Sequence, residues 1–295
     1  MPENDVNVAV RLQMSLGECP VWSAEAQTLY WVDIRQGAIF AWQPDSDEVP
    51  ATLSLDEPVG CIALADEGLI AAAASGLRRV PLADDFPQVP LTANPQWEAK
   101  GNRFNDGRCD ARGRLWVGTI DRDEVSPSAA LYCLTDGQLQ QRKDNLVISN
   151  GLAFSPDQRW LYHTDSLTRR VVRHAFDLNS GTLGEAEPWI DLAEQGLPGV
   201  PDGAAVDSEG NYWCALYDGG QIACFSPQGR LLECHEVPCP HPTMVAFGGS
   251  DLRTLFITTA TQHLDEAGKQ RWPLAGSLFS LQVETPGLVE PVFTG

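Results

Sequence analysis

Four oxygen-bearing side chains stand at one repeated distance from a turn. Glu18 lies five residues before Ser23, Asn105 five before Asp110, Asn150 five before Ser155 and Asp202 five before Asp207. Ser and Asp open turns because their short side chains bond nearby backbone N–H groups. The matched positions therefore sit on equivalent strands, and three of them adjoin glycine, namely Gly17, Gly151 and Gly203. Two carboxylates plus amide oxygens suit a hard divalent cation, which takes oxygen ligands and lets water complete its shell. Glu18 and Asp202 would balance its charge. Calcium and zinc lead as candidates, and magnesium, manganese or ferrous iron also fit such donors. Asn105-Asp106-Gly107 alone reads as turn chemistry. Glu18 does not, because Glu is no preferred turn former and stands in the apolar stretch Leu16-Gly17-Glu18-Cys19-Pro20-Val21-Trp22. A carboxylate in that setting needs a partner. Cys61 and Thr243 occupy the corresponding place in two further units, with poorer register.

The strands that carry these residues belong to a tandem repeat. A polar turn followed by an apolar-aromatic strand recurs six times, centred on Trp31, Ile70, Trp116, Tyr162, Trp213 and Phe256. Repeats of roughly 40–50 residues with strand-type composition are the mark of propeller blades. A third strand follows in most units, as in Gly37–Trp42, Ala130–Leu134, Gly220–Phe225 and Gly276–Leu281. No long segment has helical periodicity, so helix content is expected to be very low. The expected architecture is all-β: one six-bladed β-propeller over residues 1–295, with a metal in its central channel. A two-sheet sandwich would not explain six tandem units.

Composition narrows the partners. The net charge is −20 and the pI about 4.5. That excludes the basic footprint of a nucleic-acid binder and disfavours an anionic membrane surface. Residues 1–13 show no basic segment leading into an apolar run, so no signal peptide is expected. No stretch reaches the roughly 18 apolar residues of a membrane helix. None of the eight cysteines forms a CxxC pair, which points to reduced thiols and a cytoplasmic setting. Cys234-His235 through Cys239-Pro240-His241 lacks zinc-finger spacing and reads as small buried hydrophobes rather than a metal site.

Four motifs, in this order along the six repeats, resemble the gluconolactonase/regucalcin (senescence marker protein) family. They are Leu16–Trp22, Asn102-Arg103-Phe104-Asn105-Asp106-Gly107, Ile148-Ser149-Asn150-Gly151-Leu152 and Pro201-Asp202-Gly203. The resemblance covers essentially the whole chain. It implies a six-bladed propeller with one divalent metal held by Glu18, Asn150 and Asp202. It also implies substrate contacts from Arg103 and Asn105, with Asp202 as general base. An acidic contact that some members carry after the third aromatic strand has Asp123 as its nearest match. A basic residue that some members carry before the Asn150 motif has no secure counterpart.

The resemblance implies hydrolysis of a small-molecule sugar lactone, of the gluconolactone, xylonolactone, arabinolactone or galactonolactone type, to the aldonic acid. One tension attends it: a carboxylate bound to a cation is a weakened base. Either the cation acidifies the attacking water, or a weakly basic Asp202 suffices for a reactive cyclic ester. Two alternatives share the scaffold, a non-catalytic calcium-binding propeller and a propeller hydrolase of aryl esters or phosphotriesters. Arg103 beside Asn105 argues against the first, since ion storage needs no substrate donors. A serine hydrolase is disfavoured because no GxSxG occurs.

Overall fold

Each repeat folds into its own antiparallel sheet, and in several of them a Ser or Asp side chain anchors the turn between the first two strands. Asp110 accepts the backbone N–H groups of Arg112 and Arg114 through Oδ1 and the Trp116 indole through Oδ2. Asp207 repeats this with Glu209, Asn211 and Trp213. Ser155 Oγ accepts from the N–H groups of Arg159 and Trp160. These bonds fix the tight turn and pin the following aromatic strand, on which Trp116 and Tyr212 are fully buried.

The computed structural model describes residues 6–44, 46, 48–82 and 88–295. It contains six four-stranded antiparallel sheets, the blades of a β-propeller. The inner strands, in chain order, are Gly17–Ser23, Val59–Ala65, Phe104–Cys109, Ser149–Phe154, Val200–Val206 and Pro242–Gly248. Adjacent inner strands contact one another around the ring, from blade 1 through blade 6 and back to blade 1. Among the described residues helix is confined to Trp97–Lys100, Glu266–Arg271 and a 3-10 turn at Ser166–Thr168. Among the described residues no helix is long and apolar enough to cross a membrane. All eight cysteines are free thiols, and only Cys234 is exposed.

Two long-range features escape the repeat pattern. Strand Asn7–Val10 pairs antiparallel with Leu278–Gln282, so the start of the chain supplies the outer strand of blade 6 and closes the ring. At the other end, residues 286–294 cross the face where the inner strands finish. Pro286 O accepts from Ser208 N, Glu290 pairs with Arg108, and Phe293 N donates to Leu64 O. Phe293 is buried in the largest apolar cluster.

The inner strands also share a defect. In every blade the pairing of inner and second strands skips one residue near the start of the inner strand. In blade 1, Glu18 faces Val32 and the next pair is Val21 with Tyr30. In blade 4, Asn150 faces Thr164 and the next pair is Ala153 with Tyr162. Such a bulge re-aims side chains and bends the strand. Gly151 sits in the blade 4 bulge at φ 64°, where a Cβ would come within 2.6 Å of the Tyr212 hydroxyl. Only glycine fits both the backbone and that contact.

Candidate functional site

Four of the six bulges deliver to the channel the residues singled out by spacing. Glu18, Asn105, Asn150 and Asp202 all line one cavity of about 200 Å³ at the starting end of the inner strands, together with Arg103. The inner strands of blades 2 and 6 add no donor to it. Cys61 packs as a buried thiol, and Thr243 Oγ1 donates to the Gly17 carbonyl.

A hydrogen-bonded chain links Arg103 with three of these four residues, Asn105, Asn150 and Asp202. Arg103 Nη1 donates to Asn105 Oδ1 at 2.7 Å and to the Phe104 carbonyl at 2.9 Å. Asn105 Nδ2 donates to Asn150 Oδ1 at 2.6 Å. Asn150 Nδ2 donates in turn to Asp202 Oδ1 at 2.6 Å and to Ser166 Oγ at 2.9 Å. Ser166 is itself tied to the Pro201 carbonyl. Glu18 stands opposite, its Oε2 accepting from Cys19 N at 2.9 Å.

The electrostatics are those of a site short of positive charge. Burial pushes the Glu18 carboxyl up to about 8, although the Cys19 N–H pulls the other way. Burial, and then the Glu18 carboxylate, hold Asp202 well above the usual carboxylate range. Neither forms an ion pair within 4.0 Å among the described residues. Two buried carboxylates with no cationic partner within 4.0 Å are costly, and a divalent cation would relieve both. The donor set fits one: two carboxylates and a free lone pair on the Asn150 amide oxygen. Among the described residues no group of three or more His, Cys, Asp or Glu side chains gathers into a metal cluster. The 234–241 segment is dispersed, with His235 against Glu233 and Trp213 and His241 bonded to Asp218 at 2.9 Å.

Asp123 is not brought to the cavity. It is exposed and outside the lining, whereas its neighbour Glu124 is part of it. The cause is a turn: Asp121 accepts the N–H of Glu124 on its carbonyl and those of Val125 and Ser126 on Oδ2. Glu124 closes that turn at φ 58°, a left-handed conformation that costs a non-glycine residue about 1 kcal/mol. Its charge acts on Arg103, whose guanidinium burial lowers to about 10. A one-residue shift thus replaces the expected acid with its longer neighbour.

Other residues escaped the sequence reading. Asp106, just below Asn105, is buried, pushed up to about 6 by that burial, and leaves Oδ1 without a partner while Oδ2 accepts from Leu152 N. Tyr217, Gln262 and His263 form the rim. A second register would have found part of this set. Four residues after the aromatic anchors at 31, 116, 162 and 213 come Arg35, Ile120, Ser166 and Tyr217, and the last three line the cavity.

A six-bladed propeller with carboxylates and amides gathered at one mouth of its channel defines a class of channel-site enzymes. The chain belongs to the SMP-30/Gluconolactonase/LRE-like family, whose model matches residues 16–261. It is 41% identical, over 97% of each chain, to a Pseudomonas putida protein named 6-deoxy-6-sulfogluconolactonase. It is 32% identical, over 93% of each chain, to the pentonolactonase XacC of Haloferax volcanii. In structure it resembles a calcium-binding protein, regucalcin, from Agrobacterium tumefaciens, with a TM-score of 0.93, 28% identity and coverage of 98% and 97% of the two chains. Membership places the chain among the lactone-hydrolysing, carboxylic-ester hydrolases.

Proposed function

We propose that this chain hydrolyses a sugar aldonolactone to the aldonic acid and depends on one divalent cation held by Glu18, Asn150 and Asp202. The observation that carries the reading is the convergence of these three with Arg103 and Asn105 in one cavity. A cation bound there supplies Lewis-acid polarisation of the lactone carbonyl. Arg103 and Asn105 hold sugar hydroxyls, and their mutual hydrogen bond sets the guanidinium's orientation. Asp202 takes the proton of the attacking water as the new bond to the carbonyl carbon forms. The ring C–O bond then breaks and its oxygen receives a proton, giving the open acid. Glu124 is the acid placed to orient the sugar, in the role expected of Asp123. The net charge of −20 supports a small-molecule partner rather than nucleic acid or an anionic membrane, and eight free thiols fit a cytoplasmic setting.

Metal-stripped protein, re-loaded with one ion at a time, tests this against five- and six-carbon aldonolactones. Turnover is expected only with a cation present. Cation binding without hydrolysis of any lactone would favour a non-catalytic binding propeller, and equal turnover in the stripped protein would remove the cation from the reaction. In addition, Arg103→Ala should impair a polyhydroxylated lactone more than one lacking hydroxyls. Equal losses would make Arg103 structural.

A further inference from the structure

The mouth of the cavity carries a directed row of hydrogen-bond donors from three blades. Arg35 Nε donates to Gln262 Oε1 at 3.0 Å. Gln262 Nε2 donates to the Tyr217 hydroxyl at 3.1 Å. That hydroxyl, already accepting, can give its own proton to His263 Nδ1 at 3.3 Å, which leaves the His263 Nε2–H outward as a donor. The row starts at a permanent charge, so each bond polarises the next. It is also held rigidly. Tyr217 stacks on His241 at 4.6 Å, and His241 is anchored by Asp218.

Arg35 is exposed, and its two terminal nitrogens make no hydrogen bond among the described residues. It is close enough to Arg103 for the two guanidiniums to repel, although the chain carries twice as many acids as bases. The acids facing this rim are already engaged. Asp218 is bonded to His241, and Glu124 acts on Arg103. Two like charges at one mouth, with unspent donors on the outer one, suit a planar fork grasping an oxyanion.

We propose that Arg35, Gln262 and His263 form a subsite for an oxyanion, a sulfonate or a phosphate, borne on the exocyclic carbon of the lactone. The subsite rests on the lactonase reading. A lactone carbonyl held at Glu18 and Asp202 would leave its exocyclic substituent room at the mouth, where Arg35 follows the second strand of blade 1 and bonds Gln262. Arg35 would thus set specificity without touching the reacting atoms.

The test compares kcat/KM on glucono-1,5-lactone, 6-phosphogluconolactone and 6-deoxy-6-sulfogluconolactone, for the wild type and Arg35→Gln, both loaded with cation. The wild type should prefer at least one anionic lactone by tenfold or more, as expected for a charge-assisted pair of bonds. Which anionic lactone is preferred identifies the group. In Arg35→Gln the loss on that lactone should exceed the loss on the neutral one at least tenfold. No anionic preference in the wild type, or equal losses in the variant, would overturn the subsite while leaving the lactonase reading intact. If no lactone is hydrolysed, the lactonase reading fails and the subsite is judged by calorimetric titration with 6-phosphogluconate. Weaker binding to Arg35→Gln would then support the subsite, and equal affinity would overturn it.

Discussion

The two mouths of the channel are made by the same six inner strands and are finished in opposite ways. Where the strands begin, bulges turn Glu18, Asn105, Asn150 and Asp202 toward an open cavity, and buried carboxyls lack a close cation. Where they end, residues 286–294 lie across the opening. Phe293 enters the core, Glu290 neutralises Arg108, and Gly287 presses so closely on Phe247 that a Cβ would come within 2.2 Å. Arg108 also donates to the Ala204 carbonyl, tying blade 3 to blade 5. One mouth gives up stability for chemistry, as polar groups held ready for a ligand commonly do. The other recovers it through apolar burial and the Arg108–Glu290 ion pair.

The largest expected effect tests the closed mouth. Phe293→Ala removes a buried aromatic and should destabilise the protein by about 3 kcal/mol. Urea unfolding measures this, and kcat/KM of the folded protein should hardly change. A matching loss of activity would show that the two mouths are not independent.

The next effect falls on the open mouth. Asp202→Asn keeps size and one oxygen but loses the proton acceptor. Its kcat at saturating metal should drop by about 10²-fold or more. Asn150→Ala is the control, since an amide is no base at neutral pH. A defect that excess metal repairs equally in both variants would remove Asp202 from the proton transfer and leave it a ligand.

Glu18→Ala should weaken divalent affinity at least tenfold, about 1.4 kcal/mol, in calorimetric titration. Because removing a buried carboxylate also removes its desolvation cost, the same variant should unfold no more easily than the wild type without metal. Unchanged metal affinity would discard the site as drawn.

The smallest effect concerns acid. Behind the open mouth, His163 bonds Ser149 Oγ at 2.9 Å, and the Ser149 carbonyl accepts the Asn105 amide. Burial, and then the Lys143 charge, hold His163 well below the usual histidine range. The unfolded chain takes up this proton near pH 6.5 and the native protein does not, so this group destabilises the fold as pH falls below 6.5. By pH 5.5 the loss is about 1 kcal/mol. Unfolding curves at pH 7.5 and 5.5 should show a smaller change in His163→Gln than in the wild type. Identical changes would mean that His163 is protonated in the native state.

The open mouth was more readable from sequence than the closed one, for a physical reason. Blade residues recur because each blade solves the same local problem, so Glu18, Asn105, Asn150 and Asp202 share an interval from an anchored turn. The expected third strand Gly220–Phe225 is found at Gln221–Phe225 for the same reason. Ring closure by Asn7–Val10 and the crossing by residues 286–294 are long-range pairings with no periodic signature of their own. Glu124 displaced Asp123 because the left-handed step that aims it depends on three hydrogen bonds to Asp121, not on residue type. Asp106 was hidden by its neighbours, since Asn-Asp-Gly reads as a turn whether or not its middle carboxylate is buried.

The strand at Asn7–Val10 has a consequence for how the molecule comes apart. A linear array of repeats frays from its terminal units, which have only one neighbour. Here no unit is terminal, because the first strand of the chain is woven into the last sheet. A proteolytic nick between residues 10 and 17 would turn a hoop into a strip with two loose ends. Blade 1 and blade 6 flank that break, so Glu18 would lose its fixed bearing on Asn150 and Asp202 although none of the three had been touched.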